Sequence, residues 1–95
     1  MDLMLAFTQH ARARLQQRGI SQDIVSELLD FGREVHDHCG SSIVYFNRKA
    51  RERLRLSLGD DAYRRLETHL NAYAVIGPKG QIVTVGHRTR RVNRT

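Results

Sequence analysis

The sequence predicts an α+β domain: an N-terminal helical hairpin packed on an antiparallel β-sheet. Three observations predict it. Two capped stretches with helical apolar spacing come first, at residues 8–18 and 22–30, separated only by Gly19-Ile20-Ser21. Two pairs of short β-prone runs follow, joined by the turn-forming segments Cys39-Gly40-Ser41-Ser42 and Gly77-Pro78-Lys79-Gly80. A polar helical stretch lies between the two pairs. Helices and hairpins gathered in blocks, rather than in strict alternation, point to α+β.

In chain order, Thr8 can accept hydrogen bonds from the free N–H groups that open a helix, and Gly19 can take the left-handed conformation that closes one. Between them Phe7, Ala11 and Leu15 share one stripe, and His10, Arg14 and Arg18 a neighbouring one, because residues four apart stack one turn above the other. The second helix runs from Gln22 to Asp30, with Ser21 as cap and Gly32 just past its end; Ile24, Val25, Leu28 and Leu29 are its expected buried face. Arg33 to His38 reads as a strand and Ile43 to Phe46 as its return. Asn47 caps a short helix from Arg48 to about Leu56. Gly59-Asp60-Asp61 breaks it, and Asp60 or Asp61 caps a further helix through about Leu70. Tyr73 to Ile76 and Gln81 to Val85 are the last two strands. With the broken helical stretch counted once, the order is α-α-β-β-α-β-β. The folded domain is expected over residues 1–88, with 89–95 as a basic tail.

Composition narrows the partners. A chain of 95 residues buries about 60–65% of its unfolded surface, enough for one modest core. The net charge is +6 and the pI 10.4, with fourteen arginines against two lysines, Lys49 and Lys79. The guanidinium fork matches phosphate oxygens and stacks on bases, so this balance favours nucleic acid; a coding bias toward arginine gives the same count. The charge is unevenly spread. Residues 22–38 hold Asp23, Glu27, Asp30, Glu34 and Asp37 against Arg33, whereas residues 48–55 hold Arg48, Lys49, Arg51, Arg53 and Arg55 against Glu52. Cys39 is the only cysteine, which excludes an intrachain disulfide and fits a reducing cytoplasm. Asp2 stands where a signal peptide needs a basic residue, and no apolar run approaches the ~20 residues of a membrane span, so no membrane association is expected.

Four constellations could carry chemistry. The first is the His10, Arg14, Arg18 stripe, either an imidazole beside two charge-neutralising guanidiniums or a solvated basic helix face. The second is Thr84, His87 and Arg88 with the tail arginines Arg90, Arg91 and Arg94. His87 could pair with His10 as the two proton carriers of RNA cleavage, in which the 2′-hydroxyl attacks the adjacent phosphorus; the plainer alternative is an arm that binds phosphates without chemistry. The third is Tyr45, Phe46, Arg48, Lys49, Arg51 and Arg55, a strand ending in two aromatics and entering a basic helix. Tyr45 could stack on a base, while Phe46 is expected in the core with Leu54 and Leu56, and Tyr63 and Tyr73 at the boundary. The fourth is His36-Asp37-His38-Cys39. It could offer a histidine pair to a metal, but no second ligand cluster accompanies it, and a polar hairpin tip is the reading adopted. No metal site and no cofactor are expected: Gly77-Pro78-Lys79-Gly80 opens no helix and so is no phosphate loop, and no Ser–His–Asp order is supported.

The string Phe7-Thr8-Gln9-His10-Ala11-Arg12-Ala13-Arg14-Leu15-Gln16-Gln17-Arg18-Gly19-Ile20-Ser21 resembles the opening of a family of small bacterial proteins of unknown function, in which Ser/Thr-x-His-Ala is followed by an arginine four residues after the histidine and then by Arg-Gly-Ile. Val44-Tyr45-Phe46-Asn47-Arg48-Lys49-Ala50 and Ile82-Val83-Thr84-Val85-Gly86-His87-Arg88 resemble its middle and end, so the likeness covers nearly the whole chain. That family is similar, distantly, to RelE- and BrnT-like toxins of the barnase–EndoU–colicin–RelE fold class. The resemblance implies a RelE-like α-hairpin on an antiparallel sheet, with His10, Arg14, Tyr45, Lys49, Thr84, His87 and Arg88 as the positions to watch. The expected function is an RNA-binding, metal-independent endoribonuclease of toxin–antitoxin type. His10, Arg14, Thr84, His87 and Arg88 would be catalytic, and Arg18, Tyr45, Arg48, Lys49, Arg51, Arg90, Arg91 and Arg94 would hold RNA. The alternatives are a nucleic-acid-binding or regulatory module without catalysis, and a protein-partner module that docks an antitoxin-like chain.

Overall fold

Thr8, Ser21 and Asn47 begin three helices in the same way. Their side-chain oxygens accept from the backbone N–H three residues on, at 3.1 Å for Ala11, 3.2 Å for Ile24 and 2.8 Å for Ala50. Each such cap stabilises by about 1 kcal/mol. In this computed structural model, which describes residues 6–37 and 39–88, they open α1 (Gln9–Arg18), α2 (Gln22–Phe31) and α3 (Arg48–Leu58). Gly19, at φ 63°, closes α1.

The fourth helix, α4 (Asp60–Leu66), corrects one expectation. Its cap position is Gly59, at φ 87°, and no side chain caps it. Asp60 and Asp61 sit inside the first turn, where their charge favours the positive end of the helix dipole instead. The helix gives way to a 3₁₀ turn at Glu67–His69. The stretch counted once in the sequence is therefore two helices, and the order is α-α-β-β-α-α-β-β.

The strands β1 (Arg33–His36), β2 (Ser42–Tyr45), β3 (Ala72–Ile76) and β4 (Ile82–His87) form an antiparallel sheet in the order β1-β2-β3-β4. β1 is shorter than its pattern suggests. Asp37 leaves the strand to turn the chain, its Oδ1 accepting N–H groups from Cys39 at 2.8 Å and Ser41 at 3.0 Å. β4 is longer, reaching His87, because Ala72 pairs with it. The outer edge of β4 is occupied by the chain entering α1: Ile82 N–H donates to Ala6 at 2.8 Å, Thr8 N–H to Ile82 at 3.0 Å, and the Thr8 hydroxyl to Val83 at 3.2 Å. α1 then packs along β4.

Register sorts the two faces of the sheet. Glu34, Val44, Ala74 and Val85 lie across one face, whereas Arg33, Tyr45, Tyr73 and Gly86, with Val35, Ile43, Val75 and Thr84, lie across the other. The first face carries the core: Val44, Ala72, Ala74 and Val85 meet Val25 and Leu28 of α2 and Leu54 of α3, with Leu70, all essentially inaccessible. A register shift at Val75/Ile76 lets Ile82 and Val85, three residues apart, both reach that core. Among the described residues, no helix packs across the second face.

Two expected core residues are outside. Leu29 is 42% exposed and Leu56 74% exposed. Leu28 and Leu54 take the inward positions of their helices, and Leu56, two residues past Leu54, falls about 200° round the helix from it. Phe46 is buried with Leu54 as expected, which leaves Tyr45 on the open face. Among the described residues, no helix is long and apolar enough to cross a membrane.

Candidate nucleic-acid interface on the open sheet face

Because α1 lies along β4, its first turn meets the open face at the sheet edge. His10 Nε2 is 3.1 Å from the Thr84 hydroxyl, and the exposed imidazole leans over β4 from the side. One turn further along the same stripe, Arg14 is half-buried, and its Nε–H, shielded from solvent, has no acceptor among the described residues.

The centre of the face is aromatic. Tyr45 and Tyr73 are direct cross-strand partners, and Tyr73 faces Gly86 on β4. A Cβ at Gly86 would lie 2.8 Å from the Tyr73 hydroxyl, so only glycine lets the ring lie across β4. Arg88 follows the strand and folds back over the sheet, with its guanidinium carbon 4.3 Å from the centroid of the Tyr45 ring. Its backbone N–H donates to the Asn71 carbonyl at 2.7 Å. Partial burial lowers the Arg88 pKa from its ordinary value; Tyr45 opposes this and Arg51 adds to it, and the group stays cationic. Arg51 is anchored in turn by an NH2 bond to the Leu70 carbonyl at 3.1 Å. The face therefore presents His10 and Thr84 near one end, two tyrosines in the middle, and Arg88 beyond them. From Thr84 to Arg88 it spans about 13 Å of extended strand.

His87 is elsewhere. It pairs with Ala72 and shares the helix-covered face with Val85, one step out of phase with Thr84 and Gly86. Its Nε2 lies 2.8 Å from the Arg18 carbonyl and its Nδ1 3.2 Å from Asn71 Oδ1. A carbonyl only accepts, so Nε2 carries the hydrogen; with no second hydrogen on the ring Nδ1 is an acceptor, and the Asn71 amide bonds it only when turned to present its NH₂. That bond satisfies one of the last free carbonyls of α1. His10 and Arg18 are about 12 Å apart along the helix axis. The geometry thus separates the two histidines that the sequence reading set on one phosphate: His10 serves the open face, and His87 ties β4 to the end of α1 and to Asn71.

The remaining basic residues divide. Arg48, Arg51 and Arg55 line a groove with Glu52 and Tyr63. Lys49 sits on a different side of α3, in a cleft with Gly32, Arg33 and Arg53, and so is not gathered with Arg88. Arg18 meets His87 through its carbonyl, away from the open face. Arg90, Arg91 and Arg94 lie outside the described residues, as does His38. Among the described residues, no three metal-ligating side chains gather. Sequence reasoning placed Tyr73 at the boundary and overlooked Asn71. The only sequence signal for Tyr73's role is a glycine inside a strand, Gly86, which marks a close approach by another group.

The chain belongs to a family of domains of unknown function, DUF4258, whose model matches residues 7–86. That span contains the His10 stripe, Tyr45, Tyr73, Thr84 and Gly86. No curated protein and no solved structure matches the chain.

Proposed function

We propose that the protein binds RNA on the open face of its sheet. The observation that carries this reading is the Arg88 guanidinium over the Tyr45 ring, beside Tyr73, on a face that no helix covers among the described residues. Aromatic rings accept bases without reading their identity, and arginines neutralise the backbone between them. A cytoplasmic location goes with this reading.

The His10–Thr84 pair favours a second step, metal-independent cleavage of the RNA in the manner of a RelE-like toxin. The 2′-hydroxyl would attack the adjacent phosphorus, the bond to the 5′-oxygen would break, and a cyclic phosphate and a 5′-hydroxyl would result. His10 is the proton carrier at the face and Arg14, one turn along the same helix, is the cation nearest to it, whereas Arg88 over Tyr45 would hold the RNA strand further along. His87 takes no part in this version. An antitoxin-like protein would act by covering the same basic face.

The test is incubation of the protein with RNA in EDTA, beside His10→Ala and His87→Ala variants. Cleavage by the parent and the folded His87 variant, but not by the His10 variant, is the expected result for catalysis. Salt-sensitive binding without cleavage would leave the binding reading alone, and absence of binding at low salt would overturn both.

A further inference from the structure

We propose that the edge of β1, which no strand pairs with among the described residues, pairs with β1 of a second copy, joining the two sheets into one across a dyad at Val35. This inference does not depend on the RNA reading. All four residues of β1 are exposed, and the strand has neither the proline, the lysine nor the bulge that usually blocks an edge.

The direction of its free hydrogen-bonding groups follows from the register. Asp37 N–H donates to the Ser41 carbonyl at 2.9 Å, so 37 and 41 are a hydrogen-bonded pair. In an antiparallel ladder such pairs alternate with non-bonded ones. Val35 with Ile43 and Arg33 with Tyr45 therefore bond inward, and the N–H and C=O groups of Glu34 and His36 point away from β2 to the free edge.

A second copy that extends the sheet with its open face on the same side must set each residue against one of the same face. Three centres then remain: Glu34, Val35 or His36. The first opposes Glu34 to itself. The last opposes His36 to itself and Val35 to Asp37. The Val35 centre opposes the Glu34 carboxylate to the His36 ring of the partner subunit, an acceptor facing a donor, and Arg33 to Asp37 of the partner subunit, opposite charges. It also sets the outward groups of Glu34 against those of the partner's His36, which an antiparallel ladder requires.

The apolar surface agrees with this register. Val35 is 40% exposed and its cross-strand neighbour Ile43 36% exposed, both on the open face. At the dyad Val35 meets its own copy, flanked on each side by Ile43. Glu34 is already held by the Ser42 hydroxyl at 2.7 Å, and its carboxylate lies 3.9 Å from the His36 ring, so both side chains stand at the edge where the partner would meet them.

Sedimentation equilibrium over a wide concentration range tests the pairing, with circular dichroism as a check on folding. The parent should approach twice the 11.0 kDa chain mass. Glu34→Lys, which puts a donor where the His36 ring meets an acceptor, and His36→Glu, which sets two carboxylates face to face, should each weaken self-association roughly tenfold or more at both ends of the dyad. Mixing the two variants should restore a dimer. The lysine introduced in one then meets the glutamate introduced in the other, and the unchanged His36 and Glu34 meet at the opposite end. If Glu34→Lys unfolds for want of the Ser42 bond, Val35→Cys in a Cys39→Ser background replaces it. Cysteines at a non-bonded antiparallel pair lie about 4.5 Å apart between Cα atoms and should crosslink on oxidation, whereas Ile43→Cys should not. A parent that stays monomeric at all concentrations, a mixture that fails to associate, or crosslinking at Ile43 in preference to Val35 would overturn the proposal.

Discussion

Arg88 lies with its guanidinium 4.3 Å from the centre of the Tyr45 ring, although 43 residues separate them in sequence. The contact fixes a cation flat on the sheet, where a solvated arginine would sweep a wide volume. Arg88→Lys is therefore not conservative: it keeps the charge and loses the fork and the stack. Arg88→Ala should weaken RNA binding about tenfold and reduce the salt slope by about one, whereas Arg88→Lys should keep most of the slope with weaker binding. Tyr45→Leu should weaken binding with the slope unchanged. Titration of labelled RNA at several salt concentrations separates the three, and equal affinity across the set would remove this face from the interface.

The two histidines should part company in their effects. His10 is exposed and makes one bond to Thr84, so His10→Ala should change stability by no more than about 0.5 kcal/mol while removing any cleavage. His87→Ala leaves the Arg18 carbonyl and the Asn71 side chain without their partner and should destabilise by about 1–2 kcal/mol. Denaturant melts of both variants give the comparison. A larger loss for His10→Ala would mean that the roles are reversed.

The contrast between these histidines also marks where sequence reading stops. Capping by Thr8, Ser21 and Asn47, the break at Gly59, the two hairpins and the buried Phe46 are local or periodic features, and they are legible because short-range chemistry decides them. The site was legible in part: His10, Thr84, Tyr45 and Arg88 were named and do meet one face. His87 was misplaced because strand β4 runs two residues further than its apolar alternation suggests, and alternation sends Thr84 and His87 to opposite faces. Arg51 and Lys49 look equivalent in a basic run, yet helix rotation sends them to different grooves. Leu29 and Leu56 failed for a similar reason: their helices bury narrower stripes than their composition permits.

Gly86 and Tyr73 should behave as one unit. Gly86→Ala places a methyl 2.8 Å from the Tyr73 hydroxyl and should destabilise by about 1–3 kcal/mol through displacement of the ring. In a Tyr73→Ala background the same change should cost little, because nothing then lies over the strand. A double-mutant cycle on thermal or urea unfolding reads the coupling directly. Additive effects would mean that the ring does not lie over Gly86 in solution.

Glu27 gives a pH signature unconnected with the site. Partial burial raises its pKa above the ordinary carboxylate value, and Asp30 and Asp23 on the same helix add to the shift. A carboxyl with a raised folded pKa binds its proton more tightly when folded. The stability it contributes is present below the unfolded pKa and is lost as pH rises through the higher folded value. At neutral pH the charged form is therefore a small liability, and the partly solvated setting keeps it small. Glu27→Gln removes the charge and keeps the shape. It should stabilise by about 0.3 kcal/mol at neutral pH, a size set by solvent screening. The gain should shrink as pH falls through the carboxylate range, where the parent protonates. Paired melts of parent and variant from neutral to acid pH measure that difference; a gain that grows toward acid would mean that Glu27 is stabilised by its charge, and that the acidic face of α2 is compensated by cations where Asp23 and Asp30 now dominate.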